Sequence, residues 1–134
     1  MMHAGPDARR LFAFEHTPDQ AEFDRFATIS GDDNPIHVDP AFSARTRFGR
    51  TVAHGMLLYT LFWARLRDAL PQAVMREQSL KFPHPAYAGE RLFCEASIEP
   101  LGEGMARVTT RMTRAADGEP VCEAMTVLDL AGAA

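Results

Sequence analysis

Residues 55–70 read GMLLYTLFWARLRDAL and carry the strongest structural signal in the chain. The segment has no internal proline and is apolar on nearly every side for two turns. This pattern predicts an α-helix that begins at Gly55 and is stopped by Pro71. A surface helix shows a single apolar stripe, whereas a helix that is apolar all round is buried. We therefore expect a central helix that the rest of the chain encloses.

The chain after this helix, about residues 75–130, alternates between apolar and polar side chains in the way that β-strands do. The alternation is clearest over residues 92–99 and 107–112. Between the later strands, residues 115–118 read AADG, and the Asp-Gly pair predicts a hairpin turn. We expect a run of antiparallel strands that ends near residue 130.

The chain before the central helix predicts one strand and two shorter helices. Residues 11–14 form a short apolar run that is typical of a first strand. The following helix is expected to begin in a capping box with Thr17 as the N-cap and to end at Ser30 and Gly31. A second short helix is expected over about residues 40–46. Helices followed by antiparallel strands predict an α+β fold, in which a curved antiparallel sheet wraps one long helix.

The chain has 134 residues, enough for a single domain with a real core, and 46% of them are hydrophobic. Residues 1–8 are expected to form a flexible N-terminal leader, and residues 9–134 the single domain. A formal net charge of −4 argues against nucleic acid as a bulk electrostatic partner.

Composition also bears on where the protein works. The longest apolar stretch, residues 56–64, is far shorter than the roughly 20 residues of a membrane span. The N-terminus lacks the apolar core of a secretory signal. Cys94 and Cys122 lie far apart and have no metal-binding spacing, which favours two buried thiols in a reducing compartment. We expect a cytoplasmic protein with no membrane partner.

Residues 32–39, DDNPIHVD, are the best candidate for chemistry and are expected to be irregular because Pro35 and the Asp/Asn cluster favour turns. A rigid loop that holds a carboxylate and an imidazole five residues apart, Asp32 and His37, suits two-point proton transfer. The alternative is a turn cluster that only caps helices, with Asp39 as an N-cap. The spacing fits neither a calcium nor a zinc pattern, so no metal site is expected.

His54 and Gly55 open the central helix and form the second candidate feature. Free N–H groups and the positive end of the helix dipole suit developing negative charge, and a glycine lets a carbonyl oxygen approach closely. The alternative is that Gly55 only allows two backbones to pack.

Taken together, these motifs resemble the signature of the MaoC-like dehydratases, the (R)-specific enoyl-CoA hydratases. That signature runs S-G-D-x-N-P-x-H, and residues 30–37 here read SGDDNPIH. A second landmark, H-G-M, corresponds to residues 54–56, and a third resembles Phe82, Pro85 and the Gly-Glu pair at 89–90. The landmarks occur in family order over about residues 11–130.

The resemblance implies a hot-dog fold and a homodimer whose sheets join edge to edge. It implies reversible hydration of a trans-2-enoyl thioester to the (R)-3-hydroxyacyl thioester by a lyase of fatty acid metabolism. Asp32 and His37 would be the catalytic pair, and the Gly55 N–H would bind the thioester carbonyl. From the same motifs, Asn34, His54 and Met56 are expected to contact the substrate. No cofactor is expected, since coenzyme A or an acyl carrier belongs to the substrate.

Two rival functions stay open at this point. One is a non-catalytic hot-dog subunit that binds acyl thioesters or a partner. The other is a hot-dog thioesterase, for which the central helix offers only Thr60 and Asp68 as reactive groups. The acyl chain length is also open, although Tyr59, Phe62 and Trp63 could shorten a pocket. Three arginines near the loop could meet CoA phosphates, namely Arg45, Arg47 and Arg50.

Overall fold

The computed structural model describes residues 5–130. One antiparallel sheet is formed by β1 (Arg9–His16), β2 (Val74–Lys81), β3 (Leu92–Gly102), β4 (Met105–Arg114) and β5 (Pro120–Asp129). Its strand order is β1-β3-β4-β5-β2, so β1 and β2 are the two edges. Four helices lie between β1 and β2 in the chain: α1 (Gln20–Ser30), α2 (Pro35–Val38), α3 (Pro40–Ala44) and α4 (Gly55–Ala69). The predicted α+β, hot-dog architecture is confirmed.

Part of the predicted leader, residues 1–4, lies outside the described residues. The boundaries of the leader and of the domain at residues 9–134 stay predictions. No helix within residues 5–130 has the length and hydropathy needed to cross a membrane.

Helix α4 packs on the sheet through one face. Its buried residues are Leu57, Leu58, Phe62 and Leu66. The last three pack with core residues of β3, β4 and β5. The opposite side is open, and Met56 is 49% exposed. The expectation of a helix buried on every side is therefore wrong for a single chain, because this sheet covers only the stripe that faces it.

Two helix starts differ from the sequence expectations. Asp19, not Thr17, is the N-cap of α1, and its carboxylate accepts a 2.9 Å hydrogen bond from the Glu22 N–H. Asp caps a helix at least as well as Thr. In the loop that was expected to be irregular, Pro35 begins the one-turn helix α2, because a proline at the first position needs no N–H partner.

The remaining local signals are confirmed. Gly31 ends α1 in the left-handed region, with φ of 81°, and its N–H donates to the Ala27 carbonyl at 2.9 Å. Asp39 caps α3 through a 3.0 Å bond from the Phe42 N–H, although α3 stops at Ala44, before the expected residue 46. These caps end one helix and begin another on either side of the polar loop. The loop is consequently held at both ends.

Candidate active site

Local hydrogen bonds set the conformation of the loop that carries Asp32. The Asp32 N–H donates to the Ser30 hydroxyl at 3.1 Å, and the Asp32 carboxylate accepts from the Asn34 N–H at 3.4 Å. The Asn34 side chain then caps α2 by accepting from the Ile36 N–H at 3.1 Å. Short polar side chains that bond to the backbone ahead of them make such turns stiff. Asp32 therefore stands at a defined place ahead of α2.

His37 lies on α2 and is 8% exposed. Its Nδ1 lies 2.8 Å from the Val52 carbonyl oxygen. A carbonyl oxygen only accepts, so Nδ1 carries the hydrogen, and Nε2 of the neutral ring is left with a free lone pair. The second nitrogen is therefore prepared to accept a proton.

Asp32 and His37 meet as predicted. The Asp32 Oδ2 lies 3.8 Å from Nε2 of His37, a separation that leaves the two groups close but not in direct hydrogen-bond contact. The Asp32 side chain is 55% exposed, whereas that of His37 is 11% exposed. The carboxylate of the pair is therefore exposed to solvent, whereas the imidazole is buried in the protein.

His54 contacts both members of this pair. Its ring stacks on His37 with centroids 3.9 Å apart, and its Nε2 donates to the Asp32 carbonyl oxygen at 2.9 Å. Phe26 packs on the other side of the ring, with centroids 4.8 Å apart. The Nδ1 of His54 is buried and has no hydrogen-bond partner within residues 5–130. The imidazole thus links the start of α4 to the backbone of Asp32.

Burial lowers the pKa of His54 below its ordinary value of 6.5, and the neighbouring His37 lowers it further. The bond to the Asp32 carbonyl and the Asp32 charge oppose this shift. Burial is the largest influence, so the folded protein holds His54 neutral more firmly than the unfolded chain does.

We expect acid to destabilise the protein partly through His54. Below pH 6.5 the unfolded chain binds a proton at His54 more readily than the folded protein, so stability falls as pH falls. One such group changes the free energy of unfolding by at most about 1.4 kcal/mol per pH unit. His54→Gln, which is neutral throughout, should lose less stability than the wild type between pH 7.5 and 5.5. Urea unfolding at both pH values measures this, and equal losses in the two proteins would contradict it.

Gly55 is the first residue of α4, and its N–H has no hydrogen-bond partner within the described chain. The ring of Phe82 lies directly against its Cα, because a Cβ added at Gly55 would come within 2.9–3.1 Å of three ring carbons. The N–H is therefore free, and the missing side chain makes room for another group. That group is an aromatic ring rather than a second backbone.

A cleft of about 330 Å³, here called the acid–base cleft, opens at this point. Its walls are formed by seven residues, Phe26, Ser30, Asp32, His54, Gly55, Met56 and Phe82. The cleft therefore joins the exposed carboxylate to the free N–H at the start of α4. His37 is not part of this wall, and its Nε2 reaches the cleft only through the Asp32 carboxylate, 3.8 Å away. Such a surface can place a small polarised group between a carboxylate with an imidazole beside it and a hydrogen-bond donor.

The structure separates the three residues expected to contact substrate. Met56 and His54 line the acid–base cleft, although His54 is almost fully buried. Asn34 is not part of its wall and caps α2 instead. Their substrate contacts stay predictions. The Val52 carbonyl, which orients His37, carries no sequence signal at all, because every residue has such a group.

Three possible metal ligands also meet here. One atom each from Asp32, His37 and His54 lie within 4.8 Å of one another. One nitrogen of each histidine already donates to a backbone carbonyl, so only His37 Nε2, His54 Nδ1 and the carboxylate are free to coordinate. Sequence spacing could not reveal this grouping, since His54 is distant in the chain. The expectation of no metal stays a prediction.

Comparison with known proteins gives consistent matches. Residues 3–118 match the family model described as a MaoC like domain. The chain is 42% identical over 96 residues to an (R)-specific enoyl-CoA hydratase of Aeromonas caviae, covering 69% of this chain and 72% of that protein. It is 40% identical over 78 residues to a 3-hydroxybutyryl-CoA dehydratase of Methylorubrum extorquens, covering 57% of this chain and 50% of that protein.

A solved structure extends the similarity over the whole fold. The (R)-hydratase from A. caviae involved in PHA biosynthesis superposes with a TM-score of 0.84 and 32% sequence identity. The superposition covers 96% of this chain and 98% of that one.

Proposed function

The chain belongs to the family of MaoC-like domains, and we propose that it is the hydro-lyase that reversibly converts a trans-2-enoyl-CoA into the (R)-3-hydroxyacyl-CoA. The names of its relatives support this reaction. The observation that carries it is the 3.8 Å approach of Asp32 Oδ2 to Nε2 of His37, beside the free Gly55 N–H. Asp32, His37 and Gly55 are the proposed catalytic groups.

The thioester carbonyl accepts a hydrogen bond from Gly55 in this proposal. Attack at C3 moves charge onto the carbonyl oxygen, which becomes enolate-like. The N–H at the start of α4 and the positive end of its dipole stabilise that oxygen as the charge develops. C2 and C3 then extend toward Asp32 in the acid–base cleft.

A single water molecule supplies both parts of the addition. Asp32 and Nε2 of His37 hold the water between them, and Nε2 accepts its proton as the water oxygen bonds to C3. The proton is returned to C2 on the same face with Asp32 as the relay. The C2–C3 double bond becomes a single bond, H and OH are added, and no redox change occurs. The proposed steps balance with protein groups and water alone, and we propose that the reaction uses no cofactor and no metal ion.

A hydration assay tests the proposal. Enoyl-CoA substrates from about four to twelve carbons should lose the absorbance of the conjugated thioester, with a length preference of about 1–3 kcal/mol per methylene. The product should have the (R) configuration. Release of free thiol without hydration would identify a thioesterase, and no change with any substrate would identify a non-catalytic subunit. Thr60 and Asp68, which a thioesterase would have to use, do not line the acid–base cleft.

We further propose a homodimer in which two β2 strands meet edge to edge. Strand β2 is a sheet edge with no outer partner strand among residues 5–130, and unpaired edges readily pair with another chain. Met75 of β2 is exposed, and its sulfur lies 3.7 Å from the Tyr59 hydroxyl of α4, on whose ring Trp63 stacks. Together they form an apolar surface next to open backbone groups.

Sedimentation should accordingly give twice the 14.8 kDa of one chain. Met75→Asp places like charges across the proposed interface and should yield monomers. Leu101→Asp, at an exposed apolar site on the far hairpin, should leave the dimer intact. A monomeric wild type, or equal effects of both variants, would contradict the proposed interface.

We also propose that the chain works in the cytoplasm. Cys94 and Cys122 support this, because both are buried and unpaired. Burial raises the pKa of each thiol to about 12, which keeps both protonated and unreactive.

A further inference from the structure

A second cleft has a volume of about 250 Å³. Its wall shares Gly55 and Phe82 with the wall of the acid–base cleft. The two openings therefore meet at Gly55 and at the Phe82 ring that rests on it. We call the second opening the arginine cleft, after Arg47 in its wall.

The arginine cleft has an apolar floor and basic groups in its wall. Val52, Leu58 and Val121 belong to the floor and are all buried. Arg47 and His84 are the basic residues of the wall. This combination suits a slender, largely uncharged chain that carries an anion at its far end.

The geometry of a thioester decides which part of the substrate enters which cleft. Oxygen, sulfur and C2 leave the carbonyl carbon in three directions within one plane. If the oxygen meets the Gly55 N–H and C2 extends toward Asp32, the sulfur is directed away from the acid–base cleft. The arginine cleft is the other opening whose wall includes Gly55, so it is the one available to the sulfur.

We propose that the arginine cleft receives the thiol arm of the substrate and that Arg47 binds a phosphate of that arm. The assignment of the thiol arm rests on the proposed hydratase function, because that function places the thioester carbonyl at the Gly55 N–H. An arginine guanidinium pairs with phosphate oxygens through two parallel N–H bonds, which suits it to this role.

Arg47 differs from the other basic residues that could bind the phosphate, because the others are already paired with a carboxylate or lie outside the arginine cleft. Arg50 is paired with Glu90 at 3.0 Å, and His84 is paired with Glu119 at 3.0 Å. Arg45 does not line the arginine cleft. Arg47 lines it and has no carboxylate partner within residues 5–130, and its guanidinium lies over the Phe48 ring, 4.9 Å from the centroid. Its positive charge is thus free to meet an anion.

The test compares Arg47→Gln with Arg45→Gln, which removes another exposed arginine two positions away. Each protein is assayed with crotonyl-CoA and with the crotonyl thioester of N-acetylcysteamine, which lacks phosphate. Arg47→Gln should raise KM for crotonyl-CoA about fivefold, as expected for an exposed ion pair, without changing kcat. KM for the truncated thioester should not change, and Arg45→Gln should alter neither value. Added salt should weaken crotonyl-CoA binding more in the wild type than in Arg47→Gln.

Calorimetry with free coenzyme A gives the same comparison without turnover. Arg47→Gln should weaken coenzyme A binding about fivefold and leave pantetheine binding unchanged. Unchanged KM and Kd in Arg47→Gln, or equal increases for both thioesters, would overturn the assignment. If the wild type hydrates neither thioester but binds coenzyme A through Arg47, the hydratase proposal fails, whereas the binding of phosphate by Arg47 is supported.

Discussion

Asp32→Asn is expected to lower the hydration turnover by about 10²–10⁴-fold, the range typical of a positioned acid–base group. Asparagine keeps the shape of the side chain and an oxygen that can accept the Asn34 N–H bond, so the loop should keep its conformation. It cannot relay a proton in the way a carboxylate does. Steady-state kinetics with the preferred enoyl-CoA measure the effect, and thermal unfolding should show an intact fold.

Asp33→Asn is the matched control, because Asp33 is the adjacent exposed carboxylate of the same loop and is not in the wall of the acid–base cleft. It should retain nearly full activity. His37→Gln should lower the hydration turnover by a factor in the same range as Asp32→Asn does. The double variant should be little worse than the poorer single variant, since both groups act on one water. Equal activities of the Asp32 and Asp33 variants would refute the catalytic assignment.

Gly55→Pro is expected to lower turnover by about 10²–10³-fold through the loss of a single N–H, the size of effect seen for one oxyanion donor. Proline is tolerated at the first helical position, and His54, with ψ of 137°, has the extended conformation favoured before proline. Helix α4 should therefore still form. The substitution removes the donor while leaving the acid–base pair in place.

Gly55→Ala is the control, because it keeps the N–H and also adds a Cβ. That Cβ would meet the Phe82 ring at 2.9–3.1 Å, so both variants are best compared in a Phe82→Ala background where space is available. In that background Gly55→Ala should have nearly the turnover of the Phe82→Ala protein, and Gly55→Pro should lose most of that turnover. Similar turnover in the two would show that the N–H does not contribute.

Local sequence signals predict helix ends correctly where a residue determines the conformation of its own neighbours in the chain. Gly31 ends α1 because its left-handed conformation closes the helix, and Pro71 follows the end of α4. Where two neighbours could serve equally, the signal was ambiguous: Asp19 took the cap that Thr17 could have filled. The exposed side of α4 was also misjudged, because burial depends on what the rest of the chain covers.

The pairing of Asp32 with His37 could be predicted because only four residues, one of them a proline, lie between them. The orientation of the pair could not be predicted. The Val52 carbonyl sets the tautomer of His37 across 15 positions, and His54 reaches Asp32 across 22. Backbone groups have no sequence identity, so contacts of this kind leave no trace in a motif.

The amino-acid order by itself determined the helix over residues 55–69, the strands after it and the stiff loop that brings an acid and a base together. These features depend on short-range sterics, hydrogen bonds and side-chain periodicity, which any short window of the chain contains. Only the tertiary structure decided which nitrogen of His37 is free, that Phe82 covers Gly55, and that two clefts meet there. Those outcomes depend on contacts between segments that are distant in the sequence, and such contacts form only when the whole chain folds.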